Sequence, residues 1–245
     1  MTLPRMDTPT FHVTLPVTNT PVTFRPYLTK EEKLLLMAVE SKDPKSVMSA
    51  IRQVAINCIV EPKDLNVDNL PMADVDYLFL NLRAKSKGEV LEANFNCRHI
   101  PEGEEKECGN LMQLSVRVDE LKVNIPKDFT TTIPLNDKIG IVMRLPRYAD
   151  ISSASTNDKL TAIDKSFQMI KSSIAQIYDG EQVFDVNSAM DKDLEEFIGS
   201  LNSEQFKKIE GFFESMPKID YKFDVACKKC GFEHHINYRD IASFF

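Results

Sequence analysis

Residues 226–235 read Ala226-Cys227-Lys228-Lys229-Cys230-Gly231-Phe232-Glu233-His234-His235. Two cysteines with two residues between them present both sulfurs to one metal ion from a tight knuckle. Gly231 supports this, because the turn after the second ligand needs a left-handed backbone that glycine adopts without strain. The flanks decide the fold. Residues 218–226 alternate as Ile219, Tyr221, Phe223 and Val225, and residues 235–238 read as the return strand. A knuckle between two strands favours metal over a thiol-redox role, since a redox pair sits between a strand and a helix.

Two thiolates leave a tetrahedral ion half coordinated. Cys97 and Cys108 are the best candidates for the other half, because Cys108 also precedes a glycine, Gly109. Residues 90–97 and 111–118 read as strands flanking an acidic exposed loop, 98–107, which puts both cysteines at a hairpin tip. Two hairpins giving two thiolates each is the plan of a zinc ribbon. The expectation is one structural Zn2+ held by Cys97, Cys108, Cys227 and Cys230, closed to substrate. Ten residues separate Cys97 from Cys108, more than in a standard knuckle. Two alternatives therefore stay open: His99, His234 or His235 as a ligand, or no metal and four buried or free thiols. His234 and His235 are neighbours on a strand and face opposite sides, so at most one can turn towards the ion.

Outward from this element, residues 11–15 and 22–25 alternate around the turn Thr18-Asn19-Thr20-Pro21, predicting a hairpin behind a loose polar arm, 1–9. Thr29-x-x-Glu32 reads as a capping box for a short apolar helix through Leu34, Leu35, Leu36, Met37 and Ala38. Asp43-Pro44 reads as a second helix start. Val47, Ile51, Val54, Ala55, Cys58 and Ile59 then share a face, which makes Cys58 a core thiol. Val75, Leu78, Phe79 and Leu82 predict a third helix over 73–86 that stops before Gly88. Residues 121–125, 130–135 and 139–145 continue as strands. Residues 146–156, rich in Pro, Ser and Thr, read as a linker. Leu160, Ile163, Phe167, Ile170, Ile174 and Ile177 then predict the longest helix, 158–178. A short strand, 182–186, two short helices, 193–198 and 203–213, and a small apolar helix or plug, 240–245, complete the chain.

The fold expected is α+β: N-terminal helices on an antiparallel β region, with a zinc-ribbon-like two-hairpin element and a helical insertion. The segments are 1–87 (arm, hairpin and helices), 88–145 (β region with the first cysteine pair), 146–217 (helical insertion) and 218–245 (C-terminal Cys-x-x-Cys hairpin packing on 88–145).

The 245 residues carry 30 Lys and Arg against 37 Asp and Glu, a formal charge of −7. Nucleic acid is therefore a poor partner, since phosphate binding needs a basic footprint. No apolar leader precedes residue 10 and no run approaches the ~18 apolar residues of a membrane span. A reducing cytosolic setting follows, in which paired cysteines favour metal over disulfide. There is no glycine-rich phosphate loop, His-Glu-x-x-His or Gly-x-Ser-x-Gly. Glu31-Glu32, Asp74/Asp76 and Glu195-Glu196 read as helix-terminal charges and solvated faces rather than acid/base pairs. No enzyme site and no small-molecule substrate are expected.

Several strings together carry a resemblance. They are Phe24-Arg25-Pro26; Thr29-Lys30-Glu31-Glu32-Lys33-Leu34-Leu35-Leu36-Met37-Ala38 with Glu40-Ser41; Ile56-Asn57-Cys58; Asp76-Tyr77-Leu78-Phe79-Leu80 running on to Leu82-Arg83-Ala84-Lys85-Ser86 and Gly88-Glu89; and the closing Cys227 knuckle with Phe244-Phe245. With them the chain resembles the baseplate hub assembly protein family of T-even-like contractile-tailed bacteriophages, over most of 22–145 and again over 218–245. The resemblance implies a non-enzymatic role in viral tail assembly, as a baseplate hub component or assembly chaperone. Its partners would be other baseplate hub proteins. It would work in the host cytoplasm during assembly and could persist in the virion. A zinc-ribbon nucleic-acid-binding or transcription accessory protein is the alternative. Docking surfaces would be the Leu34–Met37 helix, the Ile163–Ile177 stripe, and the Phe212-Phe213 or Phe244-Phe245 ends.

Overall fold

The computed structural model describes residues 6–156, 160–186, 191–219 and 221–238. Residue 158, where the long helix was expected to begin, and the closing segment 240–245 with Phe244-Phe245 lie outside them. The chain is mixed α+β, with small antiparallel sheets and seven α-helices among the described residues. It divides into two compact units. One comprises Met1–Leu65, Ala73–Asn124 and Lys218–Phe245; the other comprises Asn66–Met72 and Ile125–Pro217.

The first unit opens with strands β1 (Phe11–Thr14) and β2 (Pro21–Phe24), paired antiparallel. Asn19 turns between them with a left-handed φ of 55°. Helix α1 (Thr29–Glu40) starts one residue earlier than its sequence suggests. Its box residue is Glu31, which accepts the Leu28 N–H at 2.8 Å, and not Glu32. Glu31 takes this role because its carboxylate is drawn inward, only 1% exposed, to meet Arg25 at 3.0 Å. Helix α2 (Pro44–Cys58) is capped as expected: the Asp43 carboxylate accepts from the N–H groups of Lys45 and Ser46. Ile51, Val54, Ala55 and Cys58 form its buried face. Burial pushes the Cys58 thiol up to about 11, so it is an inert core thiol. Strand β3 (Ile59–Glu61) completes the three-stranded sheet in the order β1-β2-β3.

Helix α3 (Met72–Lys87) buries Val75, Leu78, Phe79 and Leu82. The string Arg83-Ala84-Lys85-Ser86-Lys87-Gly88-Glu89 resolves into the closure of this helix. The Ser86 hydroxyl accepts the Tyr27 N–H at 2.9 Å, Lys87 pairs with Glu32 and Lys85 with Glu89, and Gly88 ends the helix at a φ of 110° that other residues avoid. At the other end, buried Asp74 accepts the N–H groups of Val17 and Thr18 at 2.8 and 2.9 Å, fixing the β1–β2 loop.

Strands β4 (Val90–Asn96) and β5 (Leu111–Arg117) form the mid-chain hairpin. Only β6 (Val123–Asn124) remains of the strand expected over 121–125, because a 3-10 turn, Val118–Glu120, occupies the stretch before it. Strands β7 (Thr132–Pro134) and β8 (Ile139–Met143) belong to the second unit.

The linker expected at 146–156 is instead helix α4 (Tyr148–Thr156), anchored by the fully buried Tyr148 and by Asp150, which accepts the Arg147 N–H and pairs with Arg144 at 2.7 Å. The expected long helix also breaks. Helix α5 (Ala162–Ser173), capped by Thr161 and Asp164, gives way to strand β9 (Ile174–Asp179). The cause is legible in the register. Met143 of β8 faces Ile174 and Val142 faces Gln176, so Ala175 is an extra residue, a β-bulge. The bulge puts Ile174 and Ile177 on one sheet face at a spacing of three, which imitates a helical stripe. The segment 146–217 is therefore not purely helical.

Strand β10 (Gln182–Asp185) returns along β9, giving the sheet order β10-β9-β8-β7. Ile133, Ile141, Met143 and Ile174 from this sheet pack with Ile170 of α5, Leu194 and Ile198 of α6 (Asp191–Gly199), and Ile209 and Phe212 of α7 (Ser203–Ser215). The chain re-enters the first unit through β11 (Lys218–Ile219), which pairs with β6 where the chain left it. Strands β12 (Tyr221–Ala226) and β13 (Glu233–Tyr238) form the C-terminal hairpin.

Candidate metal centre

The two hairpin tips meet. The sulfurs of Cys97, Cys108, Cys227 and Cys230 all lie within 4.8 Å of one another. Cys97 Sγ is 3.6 Å from Cys230 Sγ, and Cys108 Sγ is 3.8 Å from Cys227 Sγ, so each close pair joins one hairpin to the other across 133 and 119 positions of chain. Cys97, Cys108 and Cys227 are buried and Cys230 is half-buried.

The backbone explains why each tip offers its sulfurs this way. In the C-terminal tip, Gly231 N–H donates to Cys227 O and Cys227 N–H to Phe232 O, both at 2.8 Å, and Gly231 has a φ of 73°. In the mid-chain tip, Gly109 N–H donates to Cys97 O at 2.9 Å, Cys97 N–H to Asn110 O at 2.8 Å, and Gly109 has a φ of 66°. The ten-residue spacing is thus an excursion. Cys108 N–H donates to His99 O at 2.8 Å and pinches the loop at its base, so the knuckle closes as tightly as the short one. A Cβ at Gly109 or Gly231 meets no steric wall; what calls for glycine is the left-handed backbone.

Backbone N–H groups point at sulfur: His99 towards Cys97, Asn110 towards Cys108, Lys229 and Cys230 towards Cys227. The Asn110 side chain adds a contact to Cys227 Sγ at 3.5 Å, and His234 Nε2 lies 3.1 Å from Cys97 Sγ. These donors favour thiolates. The Cys230 N–H lowers the Cys227 thiol, against burial, to about 6. Burial pushes Cys97 up to about 12 and raises Cys108, each also facing the other thiols. Four like groups so close cannot all ionise alone; a cation among them reverses that balance.

The donor set can be tested against a metal. In a regular tetrahedron with metal–sulfur bonds of about 2.3 Å, neighbouring sulfurs lie about 3.8 Å apart. The distances of 3.6 and 3.8 Å between the hairpins match that edge. The four cysteines could hold a metal ion.

The histidines take other places. His99 stacks on Phe232 with ring centroids 4.1 Å apart, and its buried Nδ1 has no hydrogen-bond partner among the described residues. His235 is exposed and pairs with Asp224. His234, edge-on to Phe232, touches sulfur as an outer hydrogen-bonding group, a role that spacing alone does not reveal. Lys229 reaches across to Cys108 O at 2.8 Å, a second tie between the hairpins that the sequence did not single out.

The expected docking surfaces divide. Leu35 is buried, while Leu36 and Met37 are exposed on α1. Ile163 and Phe167 are exposed at the start of α5, whereas Ile170, Ile174 and Phe212 are core.

A mixed α+β chain closed by a four-cysteine cluster is the class this geometry defines. The profile of the T4 bacteriophage base plate protein family matches residues 8–245. The chain belongs to that family, and with it to the structural proteins of a phage tail baseplate that contact other baseplate proteins. No curated protein and no solved structure gives a match. No helix among the described residues is long and apolar enough to cross a membrane.

Proposed function

We propose that this chain serves the baseplate hub, as a hub component or as the chaperone that assembles it, through protein–protein contacts and without catalysis. The observation that carries the proposal is the family match across 8–245, which spans both units and the cysteine cluster together. Zn2+ held by Cys97, Cys108, Cys227 and Cys230 would be structural. Four sulfur ligands fill its coordination and leave no position for substrate water. When bound it supplies a charge that neutralises the thiolates and crosslinks the two hairpins. The chain's own part is to aim the sulfurs and to pack Met112, Phe95 and Val225 against them.

The role places the protein in the infected cell's cytoplasm during assembly. The decisive experiment is affinity recovery of the tagged chain from phage-infected cells. Recovery of hub proteins is expected. Recovery of outer baseplate proteins alone would overturn the hub assignment. Tight DNA binding at about 150 mM salt would favour the nucleic-acid alternative.

A further inference from the structure

The four-stranded sheet of the second unit has two edges, and they are finished differently. Edge strand β7 is blocked. It is three residues long, Pro134 has no N–H to offer, and Lys208 of α7 covers the Pro134 carbonyl at 3.1 Å. These are the devices by which a sheet edge is closed to further strands.

Edge strand β10 is also short, four residues, but among the described residues it has neither the proline nor a covering lysine. It pairs with β9 without a bulge, Gln182 facing Asp179 through to Asp185 facing Gln176, and contains neither proline nor lysine. In an antiparallel ladder alternate residues aim their N–H and C=O groups away from the neighbouring strand. Among the described residues no strand meets that outer side. Large apolar side chains stand uncovered on both faces: Val183 is 60% and Phe184 51% exposed. Phe184 lies in the row Ile141–Ile177–Phe184, so the apolar face that begins in the buried core runs out to this edge.

We infer that β10 is the docking edge for an extended segment of another protein, which adds a fifth strand to the sheet. Backbone pairing fixes the segment's conformation, and the row that ends at Phe184 calls for apolar residues on that one face, at alternate positions. Charge fixes the rest. Residues 174–185 hold no basic residue, and Asp179 and Glu181 are exposed. The segment that fits carries Lys or Arg where it meets Asp179 and Glu181. A second copy of this chain would set the same carboxylates near one another, which disfavours it. The inference gives the proposed assembly role a contact surface but stands on the sheet alone. Failure of strand pairing would leave recovery of hub proteins untouched, and the converse holds.

The test uses the full chain and a probe peptide, Lys-Val-Thr-Val-Lys-Val-Thr with blocked ends. Amide hydrogen exchange read by mass spectrometry should slow at least tenfold in the fragment covering β10, and not at β7. The same peptide N-methylated at alternate residues cannot pair and should give no slowing. Phe184→Lys and Glu181→Lys should each abolish the effect; both positions are exposed, and if either variant unfolds, the N-methylated peptide decides. No slowing with the plain peptide, or equal slowing with the methylated one, overturns the inference. So does sedimentation showing a micromolar dimer that Phe184→Lys dissolves, since the edge would then belong to a second copy.

Discussion

The four-thiol cluster and the core of the second unit are both buried, yet they are made of opposite materials. Ile133, Ile141, Met143, Ile170, Ile174, Leu194, Ile198, Ile209 and Phe212 hold the second unit by removing apolar surface from water. Among the described residues only Met112 is a buried apolar residue around the cysteines, with Phe95 and Val225 partly buried beside it. Among the described residues the side chains on the sulfurs are Asn110 and the His234 ring, and Lys229 reaches only the Cys108 carbonyl. One region rests on apolar burial; the other is a four-cysteine cluster that could hold a metal ion.

The largest effect should come from breaking the ion's site. Cys227→Ser, or a strong chelator on the intact protein, should expose both hairpin tips. Hydrogen exchange in 96–110 and 226–233 should approach that of unstructured chain, while the second unit's strands keep their protection. Elemental analysis of the freshly reduced protein should give about one zinc per chain, and none in the variant. Unchanged protection after zinc removal would show that the tips stand on hydrogen bonds alone.

Next in size is the apolar counterpart. Ile209 is fully buried in the second unit. Ile209→Ala should lower the unfolding free energy by about 3 kcal/mol through lost transfer energy and the cavity left behind. Denaturant titration checks the magnitude, and zinc content should not change. A coupled loss of zinc would merge the two regions into one cooperative system.

How far the sequence discloses these regions follows from the kind of signal each carries. The four cysteines were legible because glycine after Cys108 and after Cys230 marks the same backbone turn, whatever the loop length before it. The caps at Asp43 and the closure at Gly88 were legible for the same reason: local chemistry fixes them. The stripe from Ile163 to Ile177 was not, because a bulge at Ala175 gives strand residues a helical spacing, and only pairing with β8 reveals it. Tyr148 and Asp150 turn a Pro- and Ser-rich stretch into α4 through tertiary burial and the Arg144 pair, which no local pattern announces. His234 and Lys229 earn their roles from the opposite hairpin, so their sequence neighbours say nothing about them.

A third prediction sharpens the contrast within the first unit, where a buried carboxyl is met by backbone N–H groups. Asp74 is fully buried and both its oxygens accept backbone N–H groups. Asp74→Ala would strand the Val17 and Thr18 donors and should cost about 2 kcal/mol. Thermal melts should show the loss, with zinc content intact. Loss of zinc would mean that this carboxylate and the thiol cluster are one system.

The smallest effect concerns Glu31, where the chain supplies its own cation. Burial works against ionisation of this carboxyl, but the hydrogen bond from Arg25, the Leu28 N–H and the charges of Arg25 and Lys30 together hold it below the usual carboxylate range. A carboxyl lowered on folding adds stability that is fully present above its unfolded value, about 4.3, and is lost as pH falls through the folded value. Unfolding free energy should therefore decline on acidification below about pH 4.3. Glu31→Gln should be less stable at neutral pH and should flatten that decline. A variant with the native acid dependence would show that Arg25 does not compensate Glu31. The contrast between a charge met from within the chain and thiolates awaiting an ion would then fail.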